Sequence, residues 1–193
     1  MEKVALKLLE HTKLCNIGYI NKNDDSAFIL AINNKMEKVA LKLLEHPKLC
    51  NIGTINKNGN TALLWACSNK MESIALKLLE HYELCNIRTI NENGYTALIY
   101  ACQNNMKSVA LKLLEHHELC NIRTINKNGN TALIYACRNN MESVALKLLE
   151  QPELCNIGNK NNFGNTALKS ITNNNNSMNS VIIRILEITC IHS

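Results

Sequence analysis

Four His-Cys pairs are the residues of this chain best placed by type and spacing to do chemistry. His11 and Cys15, His46 and Cys50, His81 and Cys85, and His116 and Cys120 each lie four residues apart, a spacing that on a helix brings two metal-binding side chains onto one face. Zinc needs further converging donors, and a His near a helix C-terminus already has a use, bonding the last carbonyls and complementing the dipole. The pairs therefore read as structural, and no metal is assigned. Trp65, Tyr100 and Tyr135 recur at one position and could stack bases, but no basic stripe is interleaved with them. Core packing is the simpler account, and it argues against a nucleic-acid ligand. There is no Gly-rich phosphate loop, HExxH or Gly-x-Ser-x-Gly elbow. No catalytic residue, small-molecule substrate or cofactor is expected.

These residues recur because the whole chain does. The block MEKVALKLLE begins at Met1 and returns with small changes at Met36, Met71, Met106 and Met141, a period of 35 residues. Self-similarity at this spacing marks a solenoid, in which each unit must stack on its neighbours to bury its apolar face. Eight of the nine cysteines follow the period, as Cys15, Cys50, Cys85, Cys120 and Cys155 and as Cys67, Cys102 and Cys137, while Cys190 stands outside it. Equivalent residues in stacked helical layers lie about 8–10 Å apart, beyond the roughly 7 Å reach of a disulfide. The thiols are expected to be reduced and packed as small hydrophobes.

Composition agrees with thin helical layers. Apolar residues make up 46% of the 193 and aromatics only 4%, so the core must be Leu, Ile, Val and Ala. The net charge of +5 and pI near 8.7 are mild for a nucleic-acid domain. Lys7, Lys42, Lys77, Lys112 and Lys147 each precede a Glu by three residues, the pairing of a solvated helix face. No signal-peptide pattern and no run of about 18 apolar residues occurs, so no membrane association is expected and the location is read as cytoplasmic.

One unit, residues 126–160, shows the local logic. Asn128-Gly129 supplies the positive φ of a tight turn, as do Asn58-Gly59 and Asn93-Gly94. Thr131 can then cap a short first helix through Ala132, Leu133, Ile134, Tyr135, Ala136 and Cys137. Met141, Val144, Ala145, Leu148 and Leu149 form the apolar stripe of a longer second helix, widened by Leu146. An extended return then leads to the next turn.

This pattern resembles the ankyrin repeat family over nearly the whole chain. Gly59, Thr61, Leu63 and Ala66 match one copy, and Gly129, Thr131, Leu133, Ala136, Val144, Leu148 and Leu149 match another. TPR repeats join their helices directly and have no reason for a recurrent Asn-Gly turn. The resemblance implies an all-α repeat fold: an ankyrin-type solenoid of stacked helix-turn-helix pairs with short β-hairpin or turn connections. Ala62, Ala97 and Ala132 stand at the family's Pro, and Leu64, Ile99 and Ile134 at its His, so an apolar contact should replace the Thr-His bond. Asn105 and Asn140 occupy the inter-helix Gly position, where Lys35 and Lys70 are more costly in the left-handed region. Two extra residues near Ile52–Ile55 and their equivalents are expected to lengthen the hairpin arms.

The expected organisation is one domain, 1–193. It comprises an N-terminal half-repeat (1–20), repeats at 21–55, 56–90, 91–125 and 126–160, and a divergent C-terminal repeat (161–193). Asp24-Asp25-Ser26 looks like a degraded first turn. Asn173–Asn176 looks like an inserted loop, after which Met178, Val181, Ile182, Ile185 and Leu186 restore the stripe. Val4, Ala5, Leu8 and Leu9 are as apolar as their interior counterparts, which points to a piece of a longer array or to a face that meets another molecule.

In ankyrin-like arrays the hairpin tips and the exposed side of the first helix bind other proteins. Carried over, this implies a concave face of Lys57, Asn58, Asn60, Ser68 and Asn69, then Glu92, Asn93, Tyr95, Gln103 and Asn104, then Lys127, Asn128, Asn130, Arg138 and Asn139. Residues 86–120 and 121–155 differ at six positions, and three of these, Glu92/Lys127, Tyr95/Asn130 and Gln103/Arg138, fall on that face. The expected function is a non-enzymatic scaffold for an unidentified protein partner, with a structural or self-associating fragment as the alternative. The 31 asparagines and near-identical tandem copies are similar to the expanded ankyrin families of giant DNA viruses or protists, which implies a host-cytoplasmic setting.

Overall fold

A short helix must satisfy its loose amides and carbonyls within a few residues of each end, and this repeat does so with the same residues each time. The computed structural model describes residues 2–11, 16–173 and 178–191. The first helices are α2 (Ala27–Asn33), α4 (Ala62–Ser68), α6 (Ala97–Gln103), α8 (Ala132–Arg138) and α10 (Ala167–Asn173). The second helices are α1 (Glu2–Leu9), α3 (Glu37–Leu44), α5 (Glu72–Leu79), α7 (Lys107–Leu114), α9 (Glu142–Leu149) and α11 (Asn179–Ile191).

Every first helix begins at a hydroxyl cap. Ser26, Thr61, Thr96, Thr131 and Thr166 accept from the amides of Ile29, Leu64, Ile99, Ile134 and Lys169 at 3.1–3.3 Å. Each of α2, α4, α6 and α8 ends in a Schellman turn. In α4, Lys70 takes φ 59° and donates to Cys67, while Met71 donates to Ala66 at 2.9 Å. Lys35, Asn105 and Asn140 adopt the same φ. The residue after each, Met36, Met71, Met106 or Met141, completes the turn through its own amide and opens the second helix.

The chain divides into two compact units, residues 1–92 and 93–193. In the first, α2 packs on α3 and α4, α4 on α5, and the second helices α1, α3 and α5 pack in sequence. In the second unit, α8 lies between α6 and α10, and α9 between α7 and α11. The small residues Ala62, Ala66 and Cys67, like Ala132, Ala136 and Cys137, are buried and let neighbouring first helices approach closely. Leu64, Ile99 and Ile134, where the family has His, are each only 1% exposed. They are apolar core residues that leave the Thr hydroxyl to its cap. Hydroxyl-carboxylate bonds from Ser73 to Glu37 and from Ser180 to Glu142 tie adjacent second helices.

Three expectations change. The hairpin arms are not lengthened: among the described residues there is no strand, only an isolated bridge between Ile20 and Ser26. The stretch from His46 to Thr54 is instead a run of tight turns, with Leu49 and Cys50 both donating to His46 and Thr54 to Asn51. The first turn is intact rather than degraded. Asp24 takes the left-handed φ of 62° that Gly supplies elsewhere, and Ser26 caps α2. Met178, just before α11, and Val181, Ile185 and Ile188 within it are buried, but Leu186 is exposed. Its counterpart Leu149 is covered by the repeat that follows, and among the described residues nothing follows α11. The expected inserted loop falls largely on residues 174–177, and Cys15 and Met1 likewise lie outside the described residues.

Two glycines separate backbone strain from crowding. Gly129 and Gly164 have similar φ, 76° and 71°, but a Cβ at Gly129 would sit 2.8 Å from Asn161 Cα, whereas one at Gly164 meets nothing within 4 Å. Gly164→Ala should cost only the left-handed penalty of about 1–2 kcal/mol. Gly129→Ala should cost a further 1–3 kcal/mol or so for the overlap. Urea unfolding of the two variants checks the order, and equal losses would contradict it.

Candidate interaction surface

The hairpin tip is built by an asparagine two residues ahead of the Asn-Gly pair. Asn56 Oδ1 accepts from the amides of Asn58 and Asn60 (3.1 and 2.9 Å), Asn126 Oδ1 from Asn128 and Asn130 (both 3.0 Å), and Asn161 Oδ1 from Phe163 and Asn165 (3.0 and 2.9 Å). The carboxamide nitrogen is left to reach the preceding repeat. Asn56 Nδ2 donates to the Asp25 carboxylate, Asn91 Nδ2 to Asn60 Oδ1 and Asn161 Nδ2 to Asn130 Oδ1, each at 2.8 Å. Main-chain bonds run beside these, from Lys57 to Asn23, Glu92 to Asn58, Lys127 to Asn93 and Asn162 to Asn128, at 3.1–3.3 Å. These residues fall outside the motifs read from the sequence above. Their signal was legible: Asn21, Asn56, Asn91, Asn126 and Asn161 each stand five residues before a Ser or Thr cap.

Tyr95 interrupts the ladder. It occupies the position of Asn60 and Asn130, where a carboxamide oxygen would accept from the next repeat, and Asn126 Nδ2 instead donates to the Tyr135 hydroxyl at 3.5 Å, joined by Asn130 Nδ2 at 3.4 Å. Tyr95 stacks on Tyr100 with centroids 4.3 Å apart and accepts from Asn128 Nδ2 at 3.5 Å. Arg138 lies over the Tyr135 ring at 4.5 Å, a cation–π arrangement. Desolvation, with a smaller effect from the Tyr135 hydroxyl, pushes the Tyr95 phenol up to about 12. The cluster belongs to one unit and mixes a neutral phenol, an exposed guanidinium and flat aromatic area.

The expected site residues divide into two kinds. Lys57, Asn58, Glu92, Asn93, Lys127, Asn128 and Arg138 are exposed, and Asn60, Ser68, Asn69, Tyr95, Gln103, Asn104 and Asn139 are half-buried. Asn130 is 3% exposed, which corrects the expectation that it faces solvent: its carboxamide joins Asn161 to Tyr135. Asn69 and Asn139 are also tied inward. Asn69 Nδ2 donates to Ile32 O at 3.2 Å, and Asn139 Nδ2 to Cys102 O and Gln103 O at 2.8 and 2.9 Å. Tyr135 is buried while Trp65 and Tyr100 are half-buried.

The His-Cys spacing builds a loop. Cys50, Cys85, Cys120 and Cys155 turn their thiols to the carbonyls of Pro47, Tyr82, His117 and Pro152 at 3.6–3.7 Å. No group of three or more His, Cys, Asp or Glu converges among the described residues. Three of the Lys-Glu pairs form at 2.6–2.7 Å on exposed helix faces, where such pairs contribute little. No helix is long and apolar enough to cross a membrane, among the described residues.

Two stretches of the chain, residues 2–89 and 76–161, match the family described as ankyrin repeats (3 copies). The chain belongs to the ankyrin repeat family. No curated protein matches it. Among solved structures it is similar to a chain of the predatory endopeptidase Bd0816 from Bdellovibrio bacteriovorus in complex with immunity protein Bd3460. The identity is 22%, the TM-score 0.67, and 96% of each chain is covered. This likeness is one of fold.

Two predictions follow from the ladder and the thiols. Asn161→Ala removes two bonds to tip amides and one to Asn130, and at about 1 kcal/mol for each net bond it should cost about 3 kcal/mol in urea unfolding. Asn161→Asp keeps the acceptor and should lose less. Burial holds the Cys50, Cys85 and Cys155 thiols up to about 11 and those of Cys120 and Cys137 up to about 12, from an ordinary value of 9.0. The unfolded chain sheds these protons first, so the stability they carry is whole below about pH 9 and is lost as pH rises through 11. At pH 8 a thiol reagent should reach exposed Cys190 quickly and these five buried thiols only as the chain unfolds.

Proposed function

We propose that this chain is a non-enzymatic scaffold that binds a partner protein through its hairpin tips and the exposed side of its first helices. Ankyrin repeats generally mediate protein-protein interaction, and no catalytic family is indicated. The observation that carries the reading is a fixed framework bearing variable side chains. The Asn126 and Asn161 bonds hold the tip backbone in place, while Glu92/Lys127 and Gln103/Arg138 change charge between two otherwise near-identical copies. Tyr95 and Arg138 combine aromatic area with a guanidinium, the residue types that most often dominate interface energetics.

The candidate contact residues are therefore Lys57, Asn58, Glu92, Asn93, Tyr95, Gln103, Lys127, Asn128 and Arg138, with Asn60, Ser68, Asn69, Asn104 and Asn139 beside them. A host or cellular cytoplasm is the compartment this reading implies. A self-associating structural role is the second reading, favoured by the exposure of Val4 and Leu8.

The test is affinity capture from source-cell lysate with the native chain and with Tyr95→Ala/Arg138→Ala. Losing two anchors worth about 2 kcal/mol each should weaken binding of a specific protein roughly a thousandfold and remove it from the capture, with helical content unchanged. A capture that is the same for both chains would sink this assignment of the surface. Light scattering over a concentration series addresses the second reading, which a monomer at every concentration would exclude.

A further inference from the structure

The layer contacts that demand glycine at the hairpin tips also place a reactive pair there. Asn-Gly occurs at 58–59, 93–94 and 128–129. Gly59 and Gly129 take φ of 73° and 76°, and a Cβ would lie 3.1 Å from Asn91 Cα in the first case and 2.8 Å from Asn161 Cα in the second. Both positions are therefore closed to a side chain. That absence has a chemical consequence, because the nitrogen of a glycine is the backbone nitrogen least hindered from attacking the carboxamide carbon of an asparagine before it. In that reaction the Gly129 nitrogen loses its proton and bonds to Asn128 Cγ, the Cγ–Nδ2 bond breaks, and the nitrogen leaves as ammonia with that proton. Water then opens the cyclic imide. Attack at one carbonyl gives aspartate, and at the other isoaspartate, in which the main chain runs through Cβ.

The folded tip opposes this reaction through its bonds. Asn58 and Asn128 are exposed, so water reaches them and burial gives no protection. The Gly59 amide donates to Asn56 O at 2.9 Å and the Gly129 amide to Asn126 O at 2.8 Å. The proton that must leave is held, and an imide nitrogen, having no hydrogen, would forfeit the bond. The peptide unit ahead of each glycine is tied on its other side as well: Asn58 O accepts from the Glu92 amide at 3.3 Å and Asn128 O from the Asn162 amide at 3.1 Å. We propose that Asn58 and Asn128 are deamidation sites gated by the tip ladder, inert while these bonds stand and converted when a tip opens. Isoaspartate at 128 adds one main-chain atom between the Asn128 and Asn130 amides that Asn126 Oδ1 holds together, so the turn cannot close again as before. Each prolonged opening is thereby recorded in covalent form, at the expense of a bond between layers. The proposal concerns the stack and does not depend on the tips binding a partner.

The test holds the full chain at pH 8, folded or in guanidinium chloride, and follows the peptides containing Asn58 and Asn128 by mass spectrometry, with enzymatic methylation to report isoaspartate. Both sites should convert in the unfolded chain, and folding should slow each at least about tenfold, equivalent to ~1.4 kcal/mol for opening a tip. Asn126→Ala frees the Asn128 and Asn130 amides and should speed conversion at Asn128 about tenfold, while Asn58, in the other unit, keeps its native rate. No conversion in the unfolded chain would overturn the sites, and equal rates in the folded and unfolded chains would overturn the gate. Asn126→Ala without acceleration at Asn128 would also overturn the gate, as would equal acceleration at Asn58, which marks global unfolding in place of tip opening. Chains carrying isoaspartate at 128, refolded by dilution, should unfold at lower denaturant than unmodified chains. Matching midpoints would overturn the cost to the stack.

Discussion

The structure depends on the hydrogen bond that an asparagine carboxamide sends back to the repeat before it. Burial of Leu, Ile, Val and Ala drives the layers together, but that force is non-directional, and repeats this alike offer many near-equivalent ways to pack. Directional bonds select one. They occur at three heights in the repeat. Asn56, Asn91 and Asn161 bond at the hairpin tip; Asn69 and Asn139 bond at the end of the first helix. Asn51, Asn86 and Asn156 donate to Gly18 O, Gly53 O and Arg123 O at 2.9, 2.5 and 2.7 Å. Asparagine suits all three places for one reason: it carries a donor and an acceptor on a short stem and tolerates the left-handed backbone that Asn51, Asn86 and Asn156 adopt. Aspartate lacks the donor, and serine lacks the reach.

The abundance of asparagine thus has a structural account at many of its positions. The buried tip residues Asn56, Asn91, Asn126 and Asn161 would each be costly if unpaired, and the observed bonds satisfy both ends of the carboxamide at Asn56 and Asn161. Tyr95 is the test of this logic within the molecule. Where it removes the accepting oxygen from the ladder, the Asn126 nitrogen turns to Tyr135. The Tyr95/Asn130 difference between two copies is therefore no simple drift of a solvent-facing residue, because it changes how a buried donor is satisfied in the next repeat.

Much of the fold was legible because the period multiplies weak signals. A single Thr-Ala-Leu says little, but Thr61, Thr96 and Thr131 at one spacing identify caps, and all three do cap. The second-helix stripe was equally plain. The loop after it was not: a search for extended arms near Ile52–Ile55 missed that Cys50 and Leu49 both close turns on His46, since local turns leave no periodic apolar trace. The first turn was misjudged for a related reason. Asp24 can take a positive φ and Asp25 can accept the Asn56 ladder bond, so the geometry survives although the letters differ. On the surface, sequence separates polar from apolar but not free from committed side chains. Asn130 and Lys127 look alike in the sequence, and only their partners distinguish them.

That distinction limits where specificity can reside. In each repeat the tip and first-helix positions alternate between side chains that bond the neighbouring layer and side chains that do not enter the ladder. Changing Asn130, Asn69 or Asn139 to suit a ligand would unseat a bond between layers, so affinity gained there would be offset by stability lost. The side chains of Lys57 and Lys127 carry no such bond in the ladder, and both differ from their counterpart Glu92 in another copy. A repeat built this way can vary its charge at few positions without disturbing its stack.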